Sequence, residues 1–531
     1  MAGGEEEGPG DPGPRISLSR PESVGQVQKG KILGGETDSL RMKRREHLAI
    51  IAHDMGSVFQ ILGLACFMPF VVLIYYREWG MVLPMLSTPL TFLLLGRLIA
   101  RIPKREEVPH LSVALVAVAL TWLAVAVIGA FPFVLSMGMS WTDSIFESMS
   151  GWTGTGYSVM VSVDAAPRTL VFWRSFIQWI GGIGVIALGI ALAGRSGLAP
   201  IRLFRAEGRP DDFMPNVVST GRRIWGIYLV LTVFFIGLVL LSGVPVWDAV
   251  NLVMVALATG GFAPRDGAMA VYGNVWLEIL LIPAILAGMV PFKLYFILYG
   301  GRVRQFFRDA TVRLILAMAF LGSLFVSLEL WLVSGLAPTT AIRQGFFVTI
   351  SGFATCGLQN ADPHLWSAAP VILVTMWMLV GGAAGSTAGG IKVNRLILGY
   401  QGLVWWFRRF FVRSNVIIPL KAWGRVMTRE VSELEISKNM LIITLWILTI
   451  FFATLIALHL PHAGFTVEEV IFELVSAMSN VGLGLGYLTP ASPLAQKWLY
   501  ILLMWIGRLE IVPVIILFIG LFRGFEATVT K

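Results

Sequence analysis

The chain has 531 residues, of which 56% are hydrophobic and only 14% charged, and its mean hydropathy is +0.76. Such a balance excludes a soluble globular domain or a disordered chain as the bulk of the molecule and places it among polytopic membrane proteins. The formal net charge of +9 raises nucleic-acid binding as a question, which the distribution of the charge answers.

Residues 1–46 are rich in Gly, Glu and Pro, lack apolar periodicity, and read as a disordered tail. They contain no short apolar core followed by a small-residue cleavage site, so no signal peptide is read there. Lys43-Arg44-Arg45, just before the first apolar run, reads as a topology anchor, with binding of anionic lipid as the second reading. Ten apolar runs follow, near 48–76, 80–100, 111–137, 169–194, 222–243, 275–300, 311–335, 369–400, 438–460 and 496–522. Each reaches the roughly 20 helical residues that cross a bilayer core of about 30 Å. Of the 41 Lys and Arg, 31 lie in 1–46, 97–105, 195–223, 300–313, 400–438 and 523–531, which an even span count puts on one side. The opposite loops hold six: Arg77, Arg168, Arg174, Arg265, Arg343 and Lys497. This asymmetry follows the positive-inside rule, so both termini are expected in the cytoplasm and no nucleic-acid partner is implied. Cys66 and Cys356 are far apart and the six His are scattered, without a disulfide or metal pattern.

Between the spans, on the side away from the basic loops, one short pattern recurs four times. The copies are Ser150–Tyr157, Val255–Phe262, Ser351–Leu358 and Ser476–Leu483, in register at Gly156, Gly261, Gly357 and Gly482. Phe146, Phe347 and Phe472 precede their glycines by ten residues, and Asp143, Asp248 and Glu469 by thirteen. Each copy follows a segment of about 12 residues, such as Trp141 to Met149 or Val467 to Met478, too short to cross the membrane. These read as re-entrant helices entering from outside, because irregular backbone survives at membrane depth only where it lines a cavity. One copy alone would read as an external loop with turn glycines. Four in register suggest four parts of one ring of backbone carbonyls, the device that replaces the water around a potassium ion. The candidate filter comprises Thr153, Gly154, Thr155 and Gly156; Thr259, Gly260 and Gly261; Thr355, Cys356 and Gly357; and Asn480, Val481 and Gly482.

The fold class expected is therefore an all-α polytopic membrane protein. Four helix–pore loop–helix repeats surround one pore, preceded by two extra transmembrane helices. The divisions are a tail at 1–46, a two-helix unit at 47–105, pore repeats at 106–195, 196–301 and 302–400, and a cytoplasmic loop with the last repeat at 401–531. Inside the span near 369–400, residues 380–390 hold five glycines, three alanines, a Ser and a Thr, which favours leaving the helix. Gly381, Gly382, Gly385, Ser386, Thr387, Gly389, Gly390 and Lys392 are accordingly read as a gating segment in the cavity, against tight small-residue helix packing. Arg508 falls near the middle of the last span, where a charge is costly unless it meets water or a partner. Two readings stay open for it: a barrier charge in the ion path, or an ion pair with Glu510 or another buried carboxylate. Lys293 is read as lying at the cytoplasmic rim.

Several stretches together resemble a known family. Phe146-Glu147-Ser148-Met149-Ser150-Gly151-Trp152-Thr153 resembles its first filter, and Phe172-Trp173-Arg174-Ser175-Phe176 with Gln178–Gly182 the helix after it. Gly381–Lys392 resembles the break in the third repeat, and Gly507-Arg508-Leu509-Glu510 the arginine site in the last helix. From residue 48 onward the chain resembles the membrane subunits of Trk-type potassium uptake systems, within the wider Trk/Ktr/HKT superfamily. The Glu after Arg508 and the two extra spans suit the Trk branch. Met289-Val290-Pro291-Phe292 departs from the Asn-containing stretch the family would have there.

The resemblance implies potassium as the transported substrate, held at Thr155, Gly156, Gly260, Gly261, Cys356, Gly357, Val481 and Gly482, and no cofactor. It also implies an intramembrane gate in the glycine-rich segment, and glycine at 156 favours potassium over sodium. It further implies a bacterial inner-membrane location, a homodimer, and a cytosolic TrkA-like nucleotide-binding regulatory subunit docked on the basic loops 195–223, 300–313 and 400–438. Four pore units favour a conduit, with a potassium symporter coupled to protons or sodium as the alternative. An enzyme is not expected.

Overall fold

The computed structural model describes residues 32–102, 111–184, 217–411, 420–422, 425–427, 429–461 and 464–523. The chain divides into a unit Met1–Arg45 and a unit Glu46–Lys531. In the first, helix is already present from Ile32, inside the segment expected to be without structure. The membrane part is helical throughout, apart from a hairpin of β1 (Leu420–Ala422) and β2 (Arg425–Met427) in the basic loop before the last repeat.

Helices α1 (Ile32–Ala65) and α2 (Pro69–Tyr76) form the first span, interrupted at Cys66–Met68, where Pro69 opens the second piece with no N–H to donate. The return helix α3 (Val82–Ala100) packs on it closely enough that Gln60 Nε2 donates to Gly96 O at 3.2 Å. Repeat 1 follows: α4 (Leu111–Ile128) with α5 (Phe131–Met137), the short helix α6 (Trp141–Thr153), and α7 (Arg168–Ile183). Repeat 2 has α8 (Val217–Leu240), α9 (Val246–Leu257), α10 (Val275–Met289) and α11 (Phe292–Tyr299). After the linker helix α12 (Val303–Arg308), repeat 3 has α13 (Ala310–Leu332), α14 (Pro338–Phe353), α15 (Ala368–Val380) and α16 (Val393–Phe410). Repeat 4 has α17 (Arg429–Leu458), α18 (Val467–Met478), α19 (Leu494–Leu509) and α20 (Val512–Arg523).

Two of the expected spans are not straight. The run near 275–300 turns by 107° between α10 and α11, and that near 496–522 by 110° between α19 and α20. Pro291 removes a backbone donor at the first bend. At the second, Glu510 and Ile511 both take positive φ, 60° and 68°, which stops the helix. Among the described residues, six segments are long and apolar enough to cross a bilayer, or eight with each bent pair taken as one span. The expected span 169–194 is described only to Gly184, and 369–400 breaks between α15 and α16.

The second helices of the four repeats end 23 to 28 residues past their register glycines. They end at Ile183, 27 residues past Gly156; at Met289, 28 past Gly261; at Val380, 23 past Gly357; and at Leu509, 27 past Gly482. In three repeats a glycine lets the second helix touch the end of the short helix. A side chain at Gly181, Gly288 or Gly507 would run into the carbonyl of Trp152, Leu257 or Met478. The fold thus brings four short helices, and four helix ends beneath them, to one centre.

Candidate ion filter and gate

Each short helix ends the same way. The residues two before the register glycines, Gly154, Thr259, Thr355 and Asn480, all have positive φ, between 52° and 70°. The N–H of the next residue reaches back five positions, as in Thr155 N to Ser150 O at 2.9 Å and Cys356 N to Ser351 O at 2.8 Å. Gly260 and Val481 do likewise, to Val255 O and Ser476 O. This is a Schellman-type helix end, which satisfies the last carbonyls and turns the chain sharply. The register glycines then take positive φ again, 98°, 80°, 83° and 84° at Gly156, Gly261, Gly357 and Gly482. Left-handed residues two apart reverse the peptide planes in a way a run of L-residues resists.

The four turns close on one another. A Cβ on Gly156 would strike Gly260 O; on Gly261, Cys356 O; on Gly357, Val481 O; and on Gly482, Thr155 O. Every register glycine therefore lies against the carbonyl preceding the next one, in the cyclic order 1-2-3-4-1. Only a residue without a side chain fits there.

The corners are held differently. Gly260 O accepts from Gln178 Nε2 at 2.6 Å, and Gln178 Oε1 accepts from Phe262 N at 3.1 Å. Asn480 Nδ2 donates to Thr155 Oγ1 and to Met504 O, both at 2.9 Å, and the hydroxyls of Thr153 and Thr155 are 2.8 Å apart. Tyr157, after the first glycine, donates to Leu483 O in the fourth segment at 2.7 Å.

Behind the ring two buried carboxylates play matching parts. Glu147 Oε1 accepts from Val159 N at 2.6 Å and from Ser158 Oγ at 2.7 Å, while Arg174 Nε lies 3.4 Å from Oε2. Glu473, at the corresponding place in repeat 4, accepts from Leu485 N at 2.7 Å and from the Tyr500 hydroxyl at 3.1 Å. The first-turn acids Asp143, Asp248 and Glu469 face Lys497, Arg265 and His364. Arg343 and Asn360 meet Glu278 across repeats 2 and 3. So four of the six cations counted toward topology, Arg174, Arg265, Arg343 and Lys497, are structural ion-pair members.

Below the ring, the chain leaves helix at Gly381 and rejoins it at Val393. Ala383, Ser386, Thr387 and Ala388 are buried. The segment hydrogen-bonds to the broken helix of repeat 2 through Ala383 N to Met289 O, Thr387 N to Gly288 O and Phe292 N to Gly385 O. It also reaches upward, with Gly389 N donating to Thr355 Oγ1 at 2.8 Å and Thr387 Oγ1 to Leu257 O at 3.1 Å. Gly382 packs against Ala388 and Ser386 of the segment and against Met289 of repeat 2, and Gly390 against Gly381 and Leu379 O. The segment is thus hydrogen-bonded both to the broken helix of repeat 2 and to the turn of repeat 3.

Arg508 stands in the last turn of α19, at the second bend. Its guanidinium donates to Thr387 O at 3.2 Å, to Gly182 O at 3.0 Å and to Gly181 O, and lies over the Trp122 ring. It therefore joins the helix ends of repeats 1 and 4 to the segment from repeat 3. Glu510 is engaged by Lys392 at 2.5 Å and by Arg395. Lys293 is exposed on α11. Of the proposed docking loops, 195–216 and 412–419 lie outside the described residues.

Asn480, named in the candidate filter, donates to the Thr155 hydroxyl, and Gln178, named in the helix after the first filter, holds the Gly260 carbonyl, a role its residue type alone does not indicate. Glu473 was detectable, since it precedes Gly482 by nine residues just as Glu147 precedes Gly156. Gly288 carries the same signal as Gly181 and Gly507, a glycine 25 to 27 residues past the register position.

Residues 87–523 match the family model of TrkH, a cation transport protein. An uncharacterised cation transporter of Methanocaldococcus jannaschii is 31% identical over 476 residues, covering 89% of this chain and 95% of its own. The Trk system potassium uptake protein TrkH of Escherichia coli is 27% identical over 435 residues, 78% of this chain and 87% of its own. The crystal structure of the potassium transporter TrkH from Vibrio parahaemolyticus superposes with a TM-score of 0.77, at 24% identity over 88% of this chain and 98% of that one. That likeness carries the fold, and the family match carries the membership: the chain belongs to the TrkH family of cation transport proteins, not to an enzyme family.

Proposed function

We propose that the chain moves potassium across the cell membrane through the four-glycine ring, with the segment Gly381–Lys392 and Arg508 as its gate. The observation that carries this reading is the closure of the four turns, each glycine against the carbonyl before the next. Four backbone carbonyls at one level replace hydration water around a large, weakly hydrated cation better than around sodium. The potassium uptake activity in the names of the Escherichia coli and Halomonas elongata relatives supports the choice of ion. Sites at Thr155, Gly156, Gly260, Gly261, Cys356, Gly357, Val481 and Gly482 follow from the same closure. The Gln178 hydrogen bond to Gly260 O makes one corner stiffer than the others.

The gate reading rests on position. A buried glycine-rich segment, through Gly389 N to Thr355 Oγ1, and the Arg508 guanidinium, through Gly182 O, adjoin the ring's supports, which favours reading them as lying in the path of a cation leaving it. On this reading the bacterial inner membrane holds the chain with both termini in the cytoplasm, as a homodimer. A cytosolic TrkA-like nucleotide-binding subunit would act on the basic face, because the sequence carries no nucleotide-binding glycine motif of its own. Rubidium flux into proteoliposomes of the purified protein at imposed voltages tests the proposal. Flux that follows the potassium gradient and voltage alone supports a conduit. Obligatory proton or sodium movement supports the symporter, and absence of flux with and without the cytosolic subunit overturns both.

A further inference from the structure

Beside repeat 1 lies a cavity of about 540 Å³ that the ion path does not use. It opens between the break in the first span and repeats 1 and 2, lined by Ala65, Met68, Phe172, Trp179, Trp225 and Ile236 among others. Its wall is almost wholly apolar. The Thr232 hydroxyl in it is already committed, accepting from Trp179 Nε1 at 3.1 Å and donating to Tyr228 O at 2.7 Å. Water therefore finds little to bond there, and a void of this kind stays dry or fills with hydrocarbon. The surface beside it is exposed and apolar, with Leu64, Met68 and Val71 on one flank and Leu229 and Val233 on the other, so the mouth faces the acyl region of the bilayer.

Along α8 the wall runs from Trp225 to Ile236, eleven residues at about 1.5 Å each, or about 16 Å. The wall is centred on the candidate span Thr220–Leu240, so a chain entering from the basic end of α8 would reach past the middle of a bilayer core of about 30 Å. Just before Trp225, at the end of α8 that carries the basic residues, Arg222 and Arg223 are exposed. The Trp225 ring closes this end of the wall and is buried. We propose that the cavity is a phospholipid site: one acyl chain fills it, and an anionic headgroup sits at Arg222 and Arg223. The same wall belongs to α7, where Gln178, between Phe176 and Trp179, holds the ring carbonyl of Gly260. A chain in this cavity is thus one helix thickness from the ring.

The test uses the full chain in phosphatidylcholine vesicles doped with a diazirine-acyl phosphatidylglycerol or, separately, a diazirine-acyl phosphatidylcholine. Labelled positions are mapped by peptide mass spectrometry. The phosphatidylglycerol probe should label the peptides around residues 64–68, 172–180 and 225–236 above the outward face of α13 at Phe320 and Phe325, both exposed. Filling the cavity with Ala65→Phe, or independently Ile236→Phe, should cut that labelling roughly tenfold while leaving the α13 labelling unchanged. Arg222→Gln with Arg223→Gln should abolish the preference for phosphatidylglycerol, a loss of roughly thirtyfold for two surface arginines at about 1 kcal/mol each. Either filling variant suffices, provided it elutes as a single species with a parental melting temperature. Labelling at the level of the α13 face that ignores both filling variants overturns the site, as does shielding of the cavity by a second copy seen as cross-links between chains. Filling-sensitive labelling without a preference for phosphatidylglycerol overturns the headgroup assignment.

Discussion

Gly156→Ser adds a side chain at a corner of the ring with little freedom to receive it. Gly156 has φ of +98°, and a residue with a Cβ held in that region costs about 1–3 kcal/mol. The new Cβ would also press on Gly260 O in the neighbouring turn. That carbonyl cannot swing aside cheaply, because Gln178 Nε2 holds it at 2.6 Å. The corner must then part, at the roughly 1–3 kcal/mol typical of overpacking a dense site. The two terms together come to about 2–6 kcal/mol, enough to displace one carbonyl of the ring. Potassium, which depends on all four, loses more than sodium, and a differential loss of about 1.4 kcal/mol corresponds to tenfold. The expected result is a roughly tenfold narrowing of the rubidium-over-sodium preference in proteoliposome uptake. Gly486→Ser is the control. Its φ of +88° imposes the same backbone strain, but nothing lies within 4 Å of its Cβ, so stability should fall slightly and the preference should not. A folded Gly156→Ser protein with the parental preference would refute the argument, and so would a Gly486→Ser protein whose preference narrows equally.

Deleting Gly385–Gly389 removes the hydrogen bonds to Phe292 N and Thr355 Oγ1 and should raise basal rubidium flux without the cytosolic subunit; unchanged flux in liposomes would make the segment a packing element. Arg508→Ala should speed flux by removing a fixed charge, with Arg508→Lys nearer the parent, and should cost a few degrees of melting temperature because three carbonyl acceptors lose their donor. A destabilised Arg508→Ala protein with parental flux per folded molecule would remove the barrier role. Glu147→Gln leaves Arg174 without its buried counter-charge and should cost about 3–5 kcal/mol. Glu473→Gln keeps an amide oxygen for Leu485 N and Tyr487 N and should cost nearer 1 kcal/mol. Equal losses of melting temperature in the two variants would contradict that ordering.

What the sequence showed well was what glycine and hydrophobicity encode directly. The short helix expected at Val467 to Met478 is Val467–Met478 in the structure, and that expected from Trp141 runs on to Thr153. The glycine-rich segment leaves the helix, because its composition offers neither helix propensity nor side chains to pack. The bends after Met289 and Leu509 were not legible. Both lie inside apolar runs long enough to span, and hydropathy averages over a break of two residues. At Glu510 and Ile511 the positive φ values fall on residue types with no preference for them, so tertiary contact overrides local propensity there. The partners of Glu510 were not legible for a related reason. Glu510 is two residues from Arg508 in sequence, yet the bend turns it toward Lys392 and Arg395, which arrive from repeat 3.

The ring is fourfold, but its supports are not, and the difference bears on where it can move. In repeats 1 and 4 a buried glutamate nine residues before the glycine receives the backbone N–H three residues after it, at 2.6 Å and 2.7 Å. Each of these corners is closed by its own helix. Repeats 2 and 3 have Leu252 and Val348 at that position, which can accept nothing. Their loops depend instead on the Asp248–Arg265 pair and on Glu278 bridging to Arg343 and Asn360. The buried segment is hydrogen-bonded to this second half, through Met289, Gly288 and Phe292 of repeat 2 and Thr355 of repeat 3. Gly389 packs against Ser479 O at the end of the repeat 4 short helix; the polar ties to repeats 1 and 4 include the guanidinium of Arg508 and the Lys392 and Arg395 pairs with Glu510. Both of those ties are made by residues at the bend of repeat 4. On the proposed gating role, a change at that bend would shift the buried segment without having to break the carboxylate-held corners of repeats 1 and 4.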